Sequence, residues 1–169
     1  MANKLPKFSD RHKICIICEG NEEYEYLERL KSLKVWNEQY EDIKRKINEF
    51  HGVPNAADEV VIFGNPCTMQ IIAKHWTDEN LKSPAKSVNA PLIKKYTGVE
   101  NYKGKAAQIK KIMECVTAEN YVDMCRRVGD LNLDDSITGS SNFSKFIKLF
   151  ESGDSGWIDK INTNVEFYE

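Results

Sequence analysis

The sequence predicts an α/β protein: a small, Rossmann-like parallel sheet core followed by a helical C-terminal half. Three observations point there. Ile14-Cys15-Ile16-Ile17-Cys18 is a short apolar, β-branched run, the composition of a strand buried on both faces. It stops at Glu19-Gly20, and a helical pattern follows at once, with Tyr24, Leu27, Leu30 and Leu33 near one face. A second apolar run, Glu59 to Phe63, again ends in a turn, Gly64-Asn65-Pro66, that opens a helix. Two apolar strands joined through helices need a crossover connection. They are therefore expected to be parallel neighbours, with Glu19 and Asn65 at one edge.

In chain order, Lys13 to Cys18 reads as the first strand. Asn21 to about Trp36 and Glu38 to Phe50 read as helices, the second with Tyr40, Ile43, Ile47 and Phe50 on its apolar face. His51-Gly52-Val53-Pro54 is a stop signal. After the second strand, Met69, Ile72, Ala73 and Trp76 mark a helix. Thr77 to Asn89 is a polar connector, and Asn89-Ala90-Pro91 opens a short helix to Tyr96. Thr97 to Gly104 reads as a loop. Ala106, Ile109, Ile112 and Met113 give the next helix. Thr117 caps another that ends at Gly129. Leu131 to Gly139 is a loop, and Ser140 or Ser141 caps a last helix bearing Phe143, Phe146, Ile147 and Phe150. Two strands make a very small sheet, a hint that a further strand is hidden, missing or supplied by a partner.

The motifs at the two strand ends resemble those of Toprim-fold nucleases, and more closely of RloB-like proteins. Cys18-Glu19-Gly20, Glu23 and Tyr26-Leu27 are similar to the first motif, a strand ending in Glu-Gly before an acidic helix. Val60-Val61-Ile62-Phe63-Gly64-Asn65-Pro66-Cys67, followed by a helix with Trp76, is similar to the late strand that ends in Asn-Pro-Cys. Together they span roughly the first half of the chain. The resemblance implies a Toprim-like core, a bound Mg²⁺ or Mn²⁺ and a setting of bacterial defence and mobile elements. One part of the pattern is missing: no strand ending in Asp-x-Asp lies between the motifs, where Asp42 is the only aspartate before Asp58.

Size and composition set bounds. A chain of 169 residues, 41% hydrophobic and 30% charged, is expected to fold as one domain, with an α/β core over about 12–76 and a helical part over about 90–169. No stretch has the apolar length of a membrane span, and Met1 to Lys7 lacks the apolar core of a signal peptide. Five cysteines without such a leader suggest a reducing cytoplasm. Cys15 and Cys18 have redox-pair spacing, but on a strand an offset of three places them on opposite faces. The net charge of −2 is unevenly spread. Glu19 to Glu28 holds five acids and no base, whereas Pro91 to Lys111 holds six lysines and one acid. An acidic corner beside a basic segment suits a metal site next to a phosphate track; a solvated lysine face is the plainer reading.

The candidate catalytic residues are Glu19, Glu23, Asn65 and His75. Glu19 at a strand tip could ligate a cation or act on water, with Glu22 sharing the metal; the acids of the first helical turn could equally serve the helix dipole. Asn65 could orient a phosphate or simply form its turn. His75 could act as acid or base near neutral pH, or be an inert helix residue. Lys94, Lys95, Tyr102, Lys103, Lys105 and Lys110 are the candidate nucleic-acid contacts, aromatics among bases in a glycine-bearing loop. The expected function is metal-dependent phosphodiester cleavage in RNA or other single-stranded nucleic acid. Two alternatives stay open. One is a catalytically defective, anti-CRISPR-like relative from a phage or mobile element that binds a host nucleoprotein. The other is a helical interaction module without chemistry.

Overall fold

The computed structural model describes residues 12–18, 20–37, 40–46, 62–154 and 156. Its elements run β1 (His12–Cys18), α1 (Asn21–Ser32), β2 (Tyr40–Lys46), α2 (Met69–Ala73), α3 (Lys86–Thr97), α4 (Ala106–Glu114), α5 (Ala118–Gly129) and α6 (Phe143–Glu151). Among the described residues the core is helical. Leu30 of α1, Ile72 of α2, Ile93 of α3, Ile112 of α4, Met124 of α5 and Phe150 of α6 are all nearly or fully inaccessible to water. Each fully buried side chain of this size stabilises the fold by about 1.5–3 kcal/mol. Helix α1 packs on α4, and α5 on α6.

This corrects the predicted α/β class with its parallel sheet core. The β structure among the described residues is one parallel pair, β1 with β2, in register from His12–Tyr40 to Cys18–Lys46. Cys18 at the end of β1 reaches the core cluster, but the layers that bury it are helices. The predicted partner of the first strand is also corrected. Strand β1 pairs with 40–46, a segment whose Tyr40 and Ile43 stand at helical spacing and which was therefore expected to be helix. Ile62 and Phe63 are not in a strand, and 59–61 lie outside the described residues. Phe63 and Gly64 instead meet the start of α6. The Phe63 amide donates to Asn142 Oδ1 at 2.9 Å, Ser141 Oγ donates to the Phe63 carbonyl at 2.7 Å, and Gly64 forms an isolated antiparallel bridge with Ser141.

The helices otherwise follow the sequence with shifted ends. Helix α1 stops at Ser32, and Lys34 takes a left-handed φ of 54°. Helix α3 starts at Lys86, three residues before the predicted opening, so Pro91 falls inside it. The predicted Thr117 cap is present as a full capping box. The Asn120 amide donates to Thr117 Oγ1 at 3.3 Å, and the Thr117 amide to Asn120 Oδ1 at 2.9 Å. Helix α6 is capped by Asn142 rather than by a serine.

A polar cluster ties α2 to its surroundings. Lys74 is 2% exposed, and its ammonium donates to the Asp78 carbonyl at 2.8 Å, the Glu79 carbonyl at 3.1 Å and Asn80 Oδ1 at 2.7 Å. Burial holds its pKa below the usual lysine value. From α5, Arg127 Nη1 donates to the carbonyls of Lys74 and His75, supplying partners for the end of a five-residue helix.

Candidate functional site

A cleft of about 220 Å³ opens where the starts of α1 and α3 meet the turn before α4. Gly20, Asn21, Glu22, Glu23, Lys86, Gly104 and Ile109 line it. Its charges are mutually engaged. Glu22 Oε1 accepts the Tyr102 hydroxyl at 2.5 Å and lies 3.1 Å from Lys86 Nζ. Burial, reinforced by this carboxylate, raises the Tyr102 phenol well above its ordinary pKa. Burial also raises the nearby Cys67 thiol, and Glu22 adds to the effect.

Glu23 is the exception. Its Oε1 accepts a hydrogen bond from Thr68 Oγ1, while its Oε2 is buried with no hydrogen-bond partner. That carboxylate folds back over Gly20, where an added Cβ would sit 2.8 Å from Oε2. The glycine of Glu19-Gly20 is thus explained by close approach, since its φ of −137° is open to any residue. Gly104 serves the cleft differently. Its φ is +72°, and the Lys86 side chain lies against the position a Cβ would take.

The structure places the predicted catalytic residues apart from one another in role. Glu19 lies outside the described residues. Asn65 is a turn former: its Nδ2 donates to the Asp135 carbonyl at 2.7 Å, and its backbone bonds to Ser140 and Gly139. His75 is 1% exposed rather than on a helix surface. Asn120 donates its Nδ2 to the Cys115 carbonyl, which leaves Oδ1 to accept from His75 Nδ1 at 2.7 Å. The proton therefore resides on Nδ1, and Nε2 accepts the Tyr26 hydroxyl at 2.9 Å. Burial pushes the pKa of this imidazole down to about 4, so it is neutral at pH 7. With both ring nitrogens bonded inside the core, it offers no base to a substrate.

Among the described residues no group of three or more His, Cys, Asp or Glu side chains is arranged to hold a metal. Mg²⁺ asks for six oxygens in near-octahedral array. Here Glu22 is committed to Tyr102 and Lys86, and Glu23 has one unpartnered oxygen. The described donors do not fit Mg²⁺ or Mn²⁺ by themselves.

The basic segment divides in two. Lys94 pairs with Glu100 at 2.7 Å, and Lys95 lies 3.9 Å from Glu79 and 4.9 Å from the centre of the Tyr96 ring. Lys103, Lys105, Lys110 and Lys111 are exposed and have no carboxylate partner among the described residues. Tyr102 departs from its predicted stacking role, being 2% exposed with its hydroxyl on Glu22. Lys86, Thr68 and Lys74 were not singled out by the sequence. Lys86 sits in a stretch that reads as connector, and nothing local marks it. Lys74 did carry a signal, since it continues the apolar run Ile71-Ile72-Ala73.

Comparison with protein-family models, curated proteins and solved structures finds no match to this chain. The likeness to Toprim-fold nucleases rests on the motif residues alone. Among the described residues no helix is long and apolar enough to cross a membrane.

Proposed function

We propose that the chain binds the phosphate backbone of nucleic acid, free or within a nucleoprotein, through the lysines before and along α4. In this reading the adjoining cleft is a structural ion-pair cluster. The observation that carries it is the contrast between the two sets of charges. Glu22 and His75 are committed to protein partners, whereas Lys103, Lys105, Lys110 and Lys111 present unpaired ammonium groups to solvent. Over 103–114 the only acid is Glu114, so the segment carries 4 − 1 = +3. Metal-dependent cleavage would need Glu19 to complete what Glu22 and Glu23 begin, and Glu19 lies outside the described residues.

Lysines of this kind neutralise phosphates as point charges and release counterions, so binding falls steeply with salt. Lys94 adds to the face at little cost, because its pair with Glu100 is exposed on both sides and surface pairs are worth about 0–1 kcal/mol. The test is fluorescence anisotropy with a labelled RNA over a salt series. In Lys103→Gln/Lys105→Gln the affinity drops, and the slope of log K against log salt flattens by roughly one unit per lost contact. Unaltered affinity and slope in the folded double variant would reduce the face to a solvated surface and refute the reading.

A further inference from the structure

We infer that the basic face of α4 is built for duplex rather than single-stranded nucleic acid. The inference rests on the backbone-binding reading above and names its substrate class. Single-strand binders combine a basic groove with aromatic rings on which successive bases stack. The aromatics of this region are spent on the protein itself. Tyr102 is 2% exposed and bonded to Glu22. The Tyr96 ring is stacked with Trp76 at 6.4 Å and 13°, with Lys95 over it. The large apolar side chains that are exposed among the described residues are Val88, Val122, Leu133 and Ile137, with no ring among them.

What remains is a rod of point charges. Helix α4 has nine residues and is about 14 Å long at 1.5 Å per residue. Along that length a duplex presents about eight phosphates, at one charge per ~1.7 Å, and one strand in the same geometry about four. A face that gains only from phosphate density therefore favours the duplex. It uses lysine, which lacks the flat fork that reads guanine edges, so binding is indifferent to sequence.

The experiment compares one fluorescein-labelled 20-nucleotide RNA alone, the same RNA annealed to its complement, and the matching DNA duplex, each titrated over 50–200 mM salt. Several-fold tighter binding of both duplexes is expected. With four contacts the salt slope approaches about −3.6 on DNA duplex and about −2.8 on the single strand. Equal or tighter binding of the single strand would overturn the inference and leave the backbone-binding reading standing. Absence of salt-dependent binding to all three probes would overturn that reading and the inference with it.

Discussion

His75 should make the protein lose stability in mild acid, well before its carboxylates titrate. The imidazole is neutral and bonded through both nitrogens, to Tyr26 and to Asn120, with its pKa near 4 because of burial. In the unfolded chain the same group titrates near ~6.5. As pH falls below 6.5 the unfolded state therefore takes up a proton that the folded state refuses, and stability falls with it. The slope approaches about 1.4 kcal/mol per pH unit, so between pH 6.5 and 5 the loss comes to ~2 kcal/mol. The full gap down to about pH 4 corresponds to ~3 kcal/mol. Above pH 6.5 the contribution is complete and flat. The assay is urea unfolding at pH 7.5, 6.5, 5.5 and 5.0 for the native chain and for His75→Gln. The variant loses about 1–3 kcal/mol at pH 7.5 by leaving a buried partner unsatisfied, and it loses the acid slope. A native chain equally stable at pH 7.5 and 5.0, or a variant with the native slope, would refute the buried neutral imidazole.

Two further predictions concern close approaches. Gly139→Ala places a methyl group at a φ of +89° and 2.7 Å from Asn80 Nδ2, in the network that holds Gln70 and Lys74; a loss of about 1–3 kcal/mol by urea unfolding is expected. Gly20→Ala forces the Glu23 carboxylate off its seat, so its cost should largely vanish in a Glu23→Ala background. Additive costs in that double-mutant cycle would show that the two residues do not touch.

How far the sequence could be read follows from where its signals were local. The Thr117 cap, the α4 face of Ile109, Ile112 and Met113, and the phenylalanines of α6 were legible because caps and helical periodicity are local. Strand β2 was not. Its seven residues hold Tyr40 and Ile43 among charges, and pairing with β1 overrides what spacing suggests. Tyr102 looked like a stacking platform because aromatics among lysines look alike whether the ring faces water or the core; its long-range partner Glu22 decides that. His75 was misjudged as a surface residue, although the buried run from Met69 to Ala73 before it was a warning. The Glu-Gly motif was legible as a unit, but its explanation differs from the expected one. Gly20 makes room for the Glu23 carboxylate.

Binding without cleavage is the central claim, and a single incubation tests it. An end-labelled RNA and its duplex are held with a stoichiometric excess of protein in Mg²⁺ and then in Mn²⁺, and each sample is split between a native gel and a denaturing gel. The account predicts a salt-sensitive shifted complex on the native gel and full-length strands on the denaturing gel, with Glu23→Gln giving the same pattern. Metal-dependent fragments that disappear in Glu23→Gln would contradict it, and would place a catalytic cation at the unpartnered oxygen in the wall of the cleft.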